Sequence, residues 1–113
     1  MAERAPDLLP GTLDMLVLKT LARGPNHGYG IAQHIHRISG EALTIGEGSL
    51  YPALQRLLQR TWIAAQWKTS PHGRRAKYYR LTPAGRKQLV AATSRWQRFV
   101  EAMGRILAPE AKS

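Results

Sequence analysis

Residues 61–83, TWIAAQWKTSPHGRRAKYYRLTP, are the stretch whose reading decides the fold. After Trp62 the apolar pattern has a period of two: Ile63, Ala65 and Trp67 point one way, Ala64, Gln66 and Lys68 the other. Ser70-Pro71-His72-Gly73 is a cluster of turn residues, with Gly73 suited to a positive φ. Lys77, Tyr79 and Leu81 then alternate with Tyr78 and Arg80. The segment therefore predicts a β-hairpin with Arg74 and Arg75 at its tip. Thr82-Pro83 predicts a helix start, a capping hydroxyl followed by proline at the first helical position.

Upstream of the hairpin the spacing turns helical. Leu9, Leu13, Leu16, Val17 and Leu21 form one stripe between Leu8 and Arg23, capped by Gly11 or Thr12 and stopped by Gly24-Pro25. Met15, Leu18 and Ala22 lie on another side, so this helix asks for two burial partners, the core and a second surface. Asn26-His27-Gly28 opens a second helix to about Ser39, with Ile31, Ile35 and Ile38 on one stripe and Gly40 as its stop. A third helix begins near Gly48 or Ser49, within a turn or so of Pro52. It buries Leu50, Leu54, Leu57 and Leu58 and turns Ser49, Ala53, Arg56 and Arg60 outward.

Downstream, the helix from Pro83 to about Leu107 is roughly 37 Å long at 1.5 Å per residue. Leu89, Ala92, Trp96, Phe99, Met103 and Ile106 repeat on it at heptad spacing, with Val100 and Leu107 alongside. Such a seam suits a partner helix, and dimerisation is the expected use, with Leu9 and Leu13 of the first helix adding to it. Packing along the first helix of the same chain is the alternative.

The chain has 113 residues, enough for one domain, and no cysteine, which excludes disulfides and thiolate chemistry. Lys and Arg number 17 against 7 acids, a net charge of +10. Between Gly48 and Val100 lie eleven basic residues and no acidic one. A field so lopsided points to a polyanion, and nucleic acid is the commonest. No apolar run approaches the roughly 18 residues of a membrane span. The first residues make a poor signal peptide, so a cytoplasmic location is expected.

Three helices followed by a basic hairpin match the winged helix-turn-helix plan, in which the third helix enters the major groove. Ser49, Tyr51 and Pro52 open that helix, and Arg56 and Arg60 follow. Serine can meet a base or cap the helix; tyrosine can reach phosphate or join the core; arginine reads guanine or clamps phosphate. At the wing, Arg74, Arg75 and Lys77 gather charge that folds nothing, on a turn shaped by Gly73, as phosphate contact requires. The expected fold class is mainly α with a small β-hairpin: a winged helix-turn-helix plus a long C-terminal dimerisation helix. Residues 1–7 read as an arm, 8–82 as the DNA-binding domain, 83–108 as the dimerisation helix and 109–113 as a tail.

Four blocks carry a resemblance: His27-Gly28-Tyr29-Gly30-Ile31, Glu47-Gly48-Ser49-Leu50-Tyr51-Pro52-Ala53-Leu54, Arg74-Arg75-Ala76-Lys77-Tyr78-Tyr79-Arg80-Leu81-Thr82 and Ala84-Gly85-Arg86. In this order and spacing the chain resembles the PadR family of bacterial transcriptional regulators, in its branch with a single C-terminal helix. The resemblance implies a homodimeric DNA-binding repressor on double-stranded, palindromic DNA. It implies Ser49, Tyr51 and Pro52 at the recognition-helix start and Arg74, Arg75 and Lys77 on the wing. Some relatives bind small flat aromatic effectors between subunits, where Trp96 and Phe99 would lie; simple dimer core is the favoured reading of these two residues, because the heptad already explains them. The sequence departs from the family at Leu58, where glutamate is common, and at Thr61, where glycine is common. Thr61 therefore implies a somewhat different turn between the third helix and the wing.

Catalysis finds no footing. His34 and His36 are two apart on a helix, whereas helical metal ligands sit three or four apart, so no metal site or cofactor is expected. Gly46-Glu47-Gly48 opens like a dinucleotide fingerprint, but Tyr51 stands where the third glycine belongs. Two rival functions are a scaffold sensing flat aromatics at the dimer interface and a winged-helix protein-interaction module. The polar, basic outer face of the third helix argues against the second.

Overall fold

The computed structural model describes residues 11–110. Its order is α1 (Thr12–Leu21), β1 (Asn26–His27), α2 (Gly28–Ile38), α3 (Glu47–Gln59), β2 (Ile63–Thr69), β3 (Arg75–Leu81) and α4 (Pro83–Leu107). The strands form an antiparallel sheet in the order β1-β3-β2, with Asn26 opposite Tyr79 and Ile63 opposite Leu81. One core gathers Leu13, Val17, Leu18 and Leu21 of α1, Ile31 and Ile35 of α2, and Leu50, Ala53, Leu54 and Leu57 of α3. Ile63, Tyr79 and Leu89 close it from the sheet and α4.

Several sequence expectations are corrected here. Asn26-His27 is a short strand before it is a helix start; His27 still caps α2, its Nδ1 accepting from the Gly30 N–H at 3.0 Å. Ile38 lies past the core edge and is 61% exposed. Ala53, expected outward, is fully buried, so the apolar stripe of α3 is wider than its leucines indicate. The helix also begins earlier than expected, at Glu47, which puts Pro52 more than a turn inside. Pro52 cannot donate to the Gly48 carbonyl, but both residues are exposed and water can take that role.

The turn from α3 into β2 keeps the geometry that Thr61 was expected to alter. Thr61 itself takes φ 60°, the left-handed conformation a glycine would supply. Its N–H donates to the Leu58 carbonyl at 3.0 Å, and the Trp62 N–H donates to Leu57 at 3.1 Å, the paired bonds of a Schellman ending. A β-branched residue is strained in this conformation, and neighbouring bonds hold it there. The Thr82 hydroxyl donates to the Thr61 carbonyl at 2.7 Å while accepting from the Gly85 N–H at 3.0 Å. Gly85 is required at that place, since a Cβ would run into the Trp62 carbonyl.

The heptad of α4 divides in two. Leu89 is buried in the chain's own core, and Ala92 and Trp96 are half-buried. Leu13 is likewise core, so neither Leu13 nor Leu89 is free for the dimer seam expected of them. Heptad spacing cannot tell a helix of the same chain from a partner's. Leu9 and the expected arm, along with the last three residues of the expected tail, lie outside the described residues. Beyond Trp96 the seam is bare: Phe99, Val100, Met103, Ile106 and Leu107 are all exposed, Ile106 at 76%. This half of α4 projects from the body and stretches the chain to 66 Å.

Candidate nucleic-acid interface

The exposed residues of α3 include Gly48, Tyr51, Pro52, Gln55 and Gln59, which fall on one stripe at helical spacing. Ser49, Arg56 and Arg60 are exposed on its flank. Ser49 is not the helix cap; Gly46 holds that position with no side-chain bond. Tyr51 is not core either: its ring lies against Gly28, where a Cβ would come within 2.9 Å of the hydroxyl, and 47% of the residue stays exposed. Arg56 is engaged, its Nη2 donating to the Asp14 carboxylate of α1 at 2.7 Å. That hydrogen bond raises the guanidinium pKa further. Arg60 stacks over Trp62 at 4.9 Å.

The wing is held by its tip and by cations on rings. The Gly73 N–H donates to the Ser70 carbonyl at 2.9 Å, and Gly73 takes the expected positive φ of 81°. The Arg74 N–H donates to Ser70 Oγ at 3.2 Å. From Ala65 outward β2 has no buried residue. Instead Arg75 lies over Trp67 at 5.1 Å, Lys68 over Tyr78 at 5.4 Å and Lys77 over Tyr79 at 5.9 Å. At an exposed pair such as Arg75 on Trp67, such stacking contributes about 0.5–1 kcal/mol. Burial, and then Tyr51 nearby, pushes the Tyr79 hydroxyl pKa up.

Between α3 and the wing runs a groove of about 580 Å³. Tyr29 and Tyr51 line one side, Trp67, Arg74, Lys77 and Tyr78 the other, and no carboxylate enters it. The fold thus brings Tyr51, Arg74 and Lys77 to one groove, with Ser49 and Pro52 on the neighbouring surface of α3. Gln55 and Tyr29 were missed by the sequence reading. Gln55 could have been found by its spacing, three or four residues on from Tyr51 and Pro52. Tyr29 is 67% exposed and accepts from Gln33 Nε2 at 2.7 Å. Among the described residues no group of His, Cys, Asp or Glu is placed to hold a metal ion, and no helix is long and apolar enough to cross a membrane.

Three helices, a hairpin wing and an acid-free groove between them define a winged helix-turn-helix DNA-binding regulator. The family model described as the transcriptional regulator PadR-like family matches residues 17–91. The chain belongs to that family, whose members are transcriptional regulators and not enzymes. It is similar to a transcriptional regulator from Clostridium thermocellum, with a TM-score of 0.79 and 28% identity over 86% of this chain and 94% of that one. A PadR family transcription regulator from hypervirulent Clostridium difficile matches with a TM-score of 0.76 and 28% identity, over 87% of this chain and 100% of the other. A protein called uncharacterized protein X from Lysinibacillus sphaericus is 30% identical over 84% of this chain and 87% of its own length. An uncharacterized 37.1 kDa protein in transposon TN4556 of Streptomyces fradiae is 44% identical over 66% of this chain, which covers 20% of that protein.

Proposed function

We propose that this chain acts as a homodimeric, sequence-specific repressor of PadR type, in the cytoplasm, on a palindromic operator. The observation that carries the reading is the groove in which Tyr51 faces Arg74 and Lys77 with no acid between them. In this reading α3 lies in the major groove. Ser49, Tyr51, Pro52 and Gln55 meet base edges or the adjoining backbone, and the Gln55 amide suits adenine. Arg74, Arg75 and Lys77 take the flanking phosphates from a tip that Gly73 shapes, and Arg60 stands at the far end of α3. Arg56 is a brace that reaches DNA only by giving up Asp14. The exposed end of α4 supplies the dimer seam, through Phe99, Met103 and Ile106 with Ala92 and Trp96 at its inner edge. Two recognition helices about 34 Å apart then read half-sites one helical turn apart.

A small flat aromatic effector that releases the DNA is part of the proposal. The Trp96 and Phe99 rings lie 5.8 Å apart, and Trp96 borders a groove of about 570 Å³ with Met15 and Leu16 of α1. Quenching of tryptophan fluorescence by flat aromatics, absent in Trp96→Leu, tests it.

The deciding experiment retains a random duplex library on the purified protein at about 150 mM salt, where non-specific binding is weak. Enrichment of a palindrome with half-sites about one turn apart is expected. Tight low-salt binding without enrichment would overturn sequence specificity.

A further inference from the structure

A second hollow, of about 350 Å³, opens between the end of α1 and the outer face of α2. Arg23 enters it from the turn after α1, and Asn26 from β1. Gln33, His34 and Arg37 come from α2. It is distinct from the groove beside the wing, and no carboxylate lines it.

Among the described residues no carboxylate lines this hollow to compensate its arginines. Arg37 Nη2 donates to His34 Nδ1 at 3.3 Å and keeps its other N–H groups for a ligand. Burial first, then the charges of Arg23 and Arg37, hold the His34 pKa below the usual histidine range. Asn26 Oδ1 accepts from the His27 N–H at 2.8 Å, which leaves the amide NH₂ to donate outward. Gly30 makes room for that amide, since a Cβ there would come within 2.8 Å of Asn26 Cγ. The lining therefore offers two guanidinium groups, an amide donor and an imidazole, the complement of a compact, multiply charged oxyanion.

We propose that this hollow is a binding site for a phosphate group, held by Arg23 and Arg37 with Asn26 and His34 alongside, separate from α3 and the wing. Guanidinium forks match the tetrahedral oxygens of phosphate in pairs. Two sources present that chemistry: free phosphate, and the backbone of a duplex that continues past the groove.

The first arm follows the His34 imidazole by NMR while inorganic phosphate is added, with chloride at matched ionic strength as the control. A bound anion reverses the field of the two arginines, so the His34 titration midpoint rises saturably with phosphate and not with chloride. In the Arg23→Gln/Arg37→Gln variant the saturable rise disappears, while the amide spectrum stays that of the folded protein. A His34 response no different from chloride, or one that persists in the double variant, would overturn the site. This arm involves no DNA and stands whether or not the regulator reading holds. The second arm measures duplex binding by the same variant in phosphate-free buffer. A fall in affinity, with the salt slope shallower by about 1.8, assigns the site to the DNA backbone. Unchanged affinity assigns it to free phosphate. Either result supports the site once the first arm has shown binding.

Discussion

Arg56 of α3 grips Asp14 of α1 through two nitrogens, Nη2 at 2.7 Å and Nε at 3.5 Å from the carboxylate oxygens. The ion pair ties α3 to α1, and it is half open to water on the arginine side. A partly exposed pair of this kind contributes about 0.2–1 kcal/mol. A double-mutant cycle of Asp14→Asn and Arg56→Gln, followed by urea unfolding, is expected to give a coupling energy in that range. A coupling of zero would show that solvent screens the pair entirely.

Thr61 holds φ 60° at a helix end where glycine is the unstrained choice. Left-handed backbone costs a side chain about 1–2 kcal/mol, partly offset by the extra freedom glycine has when unfolded. Thr61→Gly is therefore expected to stabilise the protein by about 0.5–1 kcal/mol, seen as a higher urea midpoint. A lower midpoint would mean that the 2.6 Å bond from Thr61 Oγ1 to the Arg60 carbonyl outweighs the strain.

Arg74→Ala with Arg75→Ala is expected to weaken binding to every duplex alike. The slope of log affinity against log salt should become shallower by about 1.8, at 0.9 per lost phosphate contact. Because Arg75 rests on Trp67, the single variant Arg75→Ala should also loosen the hairpin, detectable as faster amide exchange near Trp67. An unchanged salt slope would remove the wing from the interface.

Trp96 is a poor probe of the proposed dimer because it also borders the groove beside Met15 and Leu16 of α1. Met103 and Ile106 are exposed beyond it and test the seam cleanly. Burying each contributes about 1.5–3 kcal/mol. Met103→Glu with Ile106→Glu should therefore raise the dimer dissociation constant at least about a hundredfold by sedimentation. The core should be untouched, so the urea unfolding of the monomer stays cooperative. A double variant that still sediments as a dimer would place the seam elsewhere.

The readable parts of this sequence are those whose causes are local. The hairpin, its Gly73 turn, the Thr82 cap and the His27 cap each follow from residues within a few positions of one another. What escaped depends on distant partners. β1 is two residues long, too short to show a period, and exists because Tyr78 and Tyr79 pair with it. Asp14 is 42 residues from Arg56, so nothing near Arg56 announces its ion pair. Gln55 carries no charge, and in the sequence only its spacing from Tyr51 and Pro52 marks it. The heptad of α4 is visible, but nothing in its spacing marks the division between Leu89 inside and Ile106 outside.

One residue, Thr82, separates the last residue of β3 from the first of α4, and its hydroxyl is bonded on both sides. That makes the junction a clamped joint, with the wing as its short arm and α4 as its long one. Leu89 in the core and the half-buried Trp96 pin the first half of α4 to the body, so the free part of the long arm is the stretch beyond Trp96. From Gln97 to Leu107 that is about 16 Å at about 1.5 Å per residue. Thr82 fixes the angle at which that arm leaves the wing, through one bond to Thr61 and one to Gly85.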